Sequence, residues 1–142
     1  MLMTNFDNVT RRFPARLEAT RQLGELAVSA AQAAQFDESA VFQTRLAMDE
    51  ACTNIIEHAY PNSDRGEIEV MLEAQPGELR IHLTDFGEAY DPREVRSEPH
   101  TGSRLEEAHP GGLGLYLMRR VMDEVYYISH GQHNTLVMVK RQ

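Results

Sequence analysis

The 142-residue sequence is poor in several things that would define other kinds of protein. It has a single cysteine, Cys52, so it cannot form an internal disulfide, and this suits a reducing compartment. No apolar run approaches the roughly 20 residues of a membrane span. The first residues, Met1 to Asp7, lack a basic segment followed by an apolar one, so no secretory signal is expected, and the expected location is cytoplasmic. Basic residues are also in deficit. With 14 Lys and Arg against 22 Asp and Glu, the net charge of −8 disfavours broad binding to nucleic acid or acidic membranes. No repeat, low-complexity tract or charge block divides the chain, and its length predicts one domain, 1–142.

What remains is an ordinary globular composition, 42% hydrophobic and 25% charged, in which periodicity and punctuation carry the information. Phe6 to Phe13 alternates and predicts an edge strand. Pro14 suits a helix start, and Ala15 to Ala34 is rich in helix formers. Asp37 and Ser39 offer caps for a second helix running to about Tyr60, closed by Pro61-Asn62-Ser63-Asp64. Glu67 to Glu73 and Glu78 to Asp85 alternate around Gln75-Pro76-Gly77 and predict a hairpin. Phe86 to Pro110 is rich in glycine, proline and charge without a period, which predicts a functional loop or lid at about 86–111. A helix from Gly112 to Asp123 precedes a closing hairpin of Glu124 to Ser129 and Thr135 to Lys140. Together these predict an α+β, two-layer sandwich with a mixed, largely antiparallel sheet and helices on one face.

Three segments carry chemistry. At roughly 100° per residue, Val41, Met48, Cys52, Ile55 and Ala59 of the second helix form a core stripe, widened by Phe42, Leu46, Ile56 and Tyr60. Glu50, Asn54 and His58 share another side among the small Ala47 and Ala51, where something can lie close. That side reads either as a solvated polar face or as a site. Asn is a mediocre interior helix residue, its amide oxygen is a hard ligand for Mg²⁺, and a glutamate one turn away can accept a hydroxyl proton. Asp85-Phe86-Gly87 ends a strand; it is either an ordinary strand end or a carboxylate for an adenine amino group beside a glycine that admits the ring. Gly112-Leu113-Gly114-Leu115 opens a helix, as a phosphate site requires, although such glycines also serve simply as caps. The absence of a following Lys-Ser/Thr and of a preceding strand disfavours a Walker A loop and a dinucleotide fingerprint.

Elsewhere the readings are plainer. His130 and His133 lack a third ligand at metal spacing, Cys52 sits on the core stripe, and Met118 and Met122 read as core. His58 either reaches the nucleotide region or caps the last helical turn. Arg104 either reaches phosphate or is a solvated loop arginine.

In order, Glu50 to His58, Asp85-Phe86-Gly87 and Gly112-Leu113-Gly114-Leu115 resemble the three ATP-site boxes of the gyrase, chaperone, histidine-kinase and mismatch-repair ATPase superfamily, with its Bergerat-type fold. Within it, Gly112 to Val125 and Asp85 to Pro92 are similar to the bacterial anti-sigma-factor serine kinases of the RsbW and SpoIIAB type. The likeness runs from about Asn5 to Lys140. The resemblance implies ATP and Mg²⁺ as cofactors, Asn54 as metal ligand and Glu50 as general base. It further implies Asp85 and Gly87 at adenine, Gly112 and Gly114 in lid closure on the phosphates, and Thr135 helping Asp85 through water. The implied partners are a STAS-domain anti-anti-sigma protein as substrate and a sigma factor, and the implied assembly is a homodimer. One departure is Ala89, where many relatives carry glycine. Other readings are a nucleotide-dependent partner-switching module without phosphotransfer, a switch kinase acting on another regulator, and a detached histidine-kinase catalytic domain. The last is disfavoured by the lack of a dimerisation helix pair bearing a phosphoacceptor histidine.

Overall fold

The computed structural model describes residues 6–60, 66–87 and 110–142, with the side chains of 6–9 and 110–113 outside that description. Residues 88–109 of the expected lid, with Ala89 and Arg104, therefore lie outside the described residues. In chain order the elements are β1 (Phe6–Pro14), α1 (Leu17–Ala33), α2 (Glu38–Asn54), a π-helical turn (Ile55–Ala59), β2 (Glu67–Gln75), β3 (Glu78–Asp85), α3 (Pro110–Val121), β4 (Glu124–Ser129) and β5 (Asn134–Arg141).

The strands form one sheet in the order β1-β2-β3-β5-β4, and every neighbouring pair is antiparallel. Strict alternation in β2 and β3 turns Ile68, Val70, Leu72, Leu79, Ile81 and Leu83 inward, where they meet Leu136 and Met138 of β5. The helices cover this face. α1 packs against α2, closely at Gly24, where a Cβ would stand 3.1 Å from side-chain atoms of Arg45 and Asp49. Among the described residues no helix is long and apolar enough to cross a membrane.

Three sequence expectations shift. Pro14 ends β1, paired with Glu67, rather than opening a helix; an edge strand tolerates its missing N–H. Phe42, expected to widen the core stripe, is 68% exposed, while Ala40 and Thr44 are buried instead. Ala40 and Thr44 fall on the buried side of α2, and Thr44 satisfies its hydroxyl on the Ala40 carbonyl at 2.8 Å. Finally, α2 is capped as expected, with the Asp37 carboxylate accepting from the Ala40 N–H at 2.8 Å, but it widens into the π turn after Asn54.

Candidate nucleotide site

α2 presents Glu50 and Asn54 to the first turns of α3. That helix begins at Pro110, so the glycines lie within its opening turns rather than ahead of them. Proline suits the first helical position, and the amides that follow have no carbonyl one turn earlier to receive them. Gly114 is the point of contact. A Cβ there would stand 2.9 Å from Glu50 Oε1, 3.4 Å from Asn54 Oδ1 and 3.5 Å from Asn54 Nδ2. The close approach anticipated over Ala47 and Ala51 is thus made by a glycine that leaves the Glu50 and Asn54 head groups room. Leu115, the next residue, is buried in the core with Met118 and Met122, so its side chain packs the helix down.

Asn54 is 6% exposed and Glu50 half-buried. Burial raises the Glu50 pKa, and the negative charges of Asp49 and Glu57 raise it further. The arrangement is a carboxylate with heightened proton affinity one helical turn from a neutral, hard amide oxygen. These are suitable partners for a hydroxyl and a divalent cation respectively, in space that a Cβ at 114 would fill. His58 lies half-buried in the π turn.

At the other end of the site, Asp85 closes β3 on the helix-facing side, 2% exposed. Its Oδ1 accepts from the Gly87 N–H at 3.2 Å and from Asn134 Nδ2 at 3.0 Å. Burial raises its pKa, opposed by the Asn134 and Gly87 hydrogen bonds and by His133. Gly87 is pressed against the helix end: a Cβ would fall 2.1 Å from the Ala59 carbonyl oxygen. Only glycine fits there.

Two residues were not anticipated. The Tyr60 hydroxyl accepts from the Phe86 N–H at 2.8 Å and donates to the Glu67 carbonyl at 2.7 Å, fastening the turn after Asp85 to β2. Asn134 takes the place expected of Thr135. In the β3–β5 register Asp85 pairs with Asn134 and Thr84 with Thr135, so Thr135 points to the opposite face, where its hydroxyl meets that of Thr84 at 2.9 Å. A one-residue step along a strand reverses the face; counting back from the buried Leu136 and Met138 would have found Asn134. Phe86 likewise faces away from Asp85, with the Arg12 guanidinium 4.9 Å from its ring centroid and the His133 ring at 6.1 Å. His130 stacks on His133, and among the described residues no group of three ligating side chains could hold a metal. Cys52 is fully buried and its thiol is pushed far up by desolvation, so it is a packing residue.

Comparison with known proteins agrees with this geometry. Residues 13–140 match the family described as the histidine kinase-like ATPase domain. The serine-protein kinase RsbW of Bacillus cereus (strain AH187) is 32% identical over 142 residues, covering 98% of this chain and 88% of the relative. The protein of the same name from Oceanobacillus iheyensis is 26% identical, with 98% and 89% covered. Among solved structures, the RsbU and RsbW domains of a Mycobacterium tuberculosis protein superpose with a TM-score of 0.63 at 18% identity, covering 94% of this chain and 31% of that one. The SiaB–SiaC complex of Pseudomonas aeruginosa gives 0.63 at 13%, covering 96% and 90%. The catalytic domain of the histidine kinase ThkA gives 0.56 at 12%, covering 94% and 95%. At these identities the structural likenesses establish the fold.

Proposed function

From the premise that this chain belongs to the histidine kinase-like ATPase family, and within it to the RsbW-like serine-protein kinases, we propose that it is a Mg-ATP-dependent anti-sigma kinase. Its substrate is a serine on a STAS-domain anti-anti-sigma protein, and its second partner is a sigma factor that it sequesters in the cytoplasm. We assign it as a homodimer. The observation that carries the reading is Glu50, held half-buried beside Asn54 under the opening turns of α3 with its proton affinity raised.

In this assignment Asp85 and Gly87 receive the adenine, and the amides around Gly112, Leu113 and Gly114 receive phosphate oxygens. Arg104 and His58 are the further residues assigned to phosphate contact. Asn54 is the ligand for Mg²⁺, which when bound would neutralise charge on the transferring phosphoryl group. Glu50 accepts the serine proton; a carboxylate whose pKa is raised toward the working pH is a better base for that step than a solvated one. Oδ1 of Asp85 is already occupied by Gly87 and Asn134, so its other oxygen is the one for a base amino group.

The test is incubation with labelled ATP, Mg²⁺ and a STAS-domain partner. Wild type is expected to form phosphoserine, Glu50→Gln to bind ATP without transfer, and Asn54→Ala to lose Mg-dependent ATP binding. Partner binding without phosphoserine in the wild type would leave a nucleotide-dependent binding module in place of a kinase.

A further inference from the structure

We propose that Asn134 is a positioning residue for base recognition, holding Asp85 so that one carboxylate oxygen is saturated and the other meets an exocyclic amino group at the 6-position of a purine. The inference rests on the adenine-nucleotide reading of the site and names the residue that sets its base preference.

Asn134 is 1% exposed and faces Asp85 across β5 and β3. A carboxylate only accepts, so the amide must turn its NH₂ toward Asp85. The opposite end of the amide is fixed in the same sense, because Asn134 Oδ1 accepts from the Ser129 hydroxyl at a long 3.4 Å. Both donors to Asp85, Asn134 Nδ2 and the Gly87 N–H, converge on Oδ1, and among the described residues Oδ2 receives none. Among the described residues, the charged and titratable groups around Asp85 are His133, which favours its ionised form, and Tyr60 from the end of the π turn.

The consequence is directional. An acceptor-only oxygen with its partner oxygen filled pairs with a 6-amino purine and meets a 6-oxo purine acceptor to acceptor. Without the Asn134 amide, Asp85 loses a hydrogen bond to its charged form, so it is both less fixed and easier to protonate.

The experiment measures ADP and IDP binding by calorimetry with the full chain, comparing wild type, Asn134→Ala and the near-isosteric Asn134→Asp. Wild type is expected to prefer ADP and to lose that preference as pH falls and Asp85 protonates. Asn134→Ala is expected to weaken ADP about tenfold or more while leaving IDP unchanged. Asn134→Asp sets two carboxylates against each other, which share one proton at low pH and repel at high pH. Its ADP preference is therefore expected to fall as pH rises, the reverse of wild type, and this readout stands even if the alanine variant does not fold. Equal weakening of ADP and IDP in both variants, or an unchanged pH profile in Asn134→Asp, would overturn the positioning role. A wild-type protein that bound neither nucleotide, or both alike, would instead overturn the adenine assignment itself and this inference with it.

Discussion

Gly114 of α3 lies so close to Glu50 of α2 that a methyl group in place of its hydrogen would stand 2.9 Å from the carboxylate oxygen. The neighbour in the way is the far end of a side chain, which can swing aside. Gly114→Ala is therefore expected to leave thermal stability unchanged or slightly raised, since alanine is the better helix residue by about 1 kcal/mol. Phosphoryl transfer should nevertheless fall on the order of 100-fold, the scale expected when a reacting group is displaced by about an ångström. Melting curves and transfer rates on the same preparation separate the two effects. A parallel loss of both would show that Glu50 is not what the glycine accommodates.

The raised pKa of Glu50 makes a second prediction with a definite sign. The folded state holds this proton more tightly than the unfolded chain does, so stability associated with the group is present at low pH and lost as pH rises through the folded pKa. Glu50→Gln removes that loss. The variant is expected to melt above wild type at pH 7, with the difference shrinking as pH falls toward the ordinary carboxylate value of 4.5. Transfer should drop by about 10²–10⁴-fold. A melting difference independent of pH would contradict the assignment of desolvation as the cause.

Gly87 differs from Gly114 in what it meets. The obstruction to a Cβ is the Ala59 backbone carbonyl at 2.1 Å, which moves only if the helix end moves with it. Gly87→Ala is expected to cost about 1–3 kcal/mol in urea unfolding and to weaken nucleotide binding as well. Wild-type stability in this variant would mean the turn after Asp85 can be rebuilt freely.

Tyr60→Phe removes one hydroxyl and leaves two backbone groups, the Phe86 N–H and the Glu67 carbonyl, without the bond they now share. The expected loss is about 1–3 kcal/mol, or several degrees in Tm for a chain of this size. Nucleotide affinity should fall with it, because the Phe86 N–H belongs to the turn that positions Gly87. Hydrogen exchange at Phe86 reads the local effect, and unchanged protection there would count against the bridge.

The sequence was most legible where side chains alternate in character. Glu78–Asp85 was readable to the residue because polar and apolar positions trade places at every step, and Glu124–Ser129 from its run of β-branched and aromatic residues. Glu50 and Asn54 were readable as a pair from four-residue spacing, and the close approach beside them from Ala47 and Ala51. Phe42 misled because its size suggested burial, whereas the buried positions around it on α2 are Ala40 and Thr44. The Thr135 expectation missed by one residue, and in a strand one residue is a change of face. Tyr60 could not be found from pattern at all, since its two partners lie on β2 and just beyond β3 and are brought to it only by the fold.

The π turn at Ile55–Ala59 follows Asn54 directly and is followed directly by Tyr60. A wider turn advances the chain by a smaller angle per residue, so it acts as a phase shifter. Before it, the helix is timed so that Glu50 and Asn54 meet α3; after it, the timing is reset so that Tyr60 meets β2 and the Asp85–Gly87 turn. Returning Ile55–Ala59 to a uniform α pitch with no residue removed would rotate Tyr60 by about one residue, roughly 100°, relative to Asn54. The phosphate end and the base end of one pocket are thereby tuned separately along a single rod.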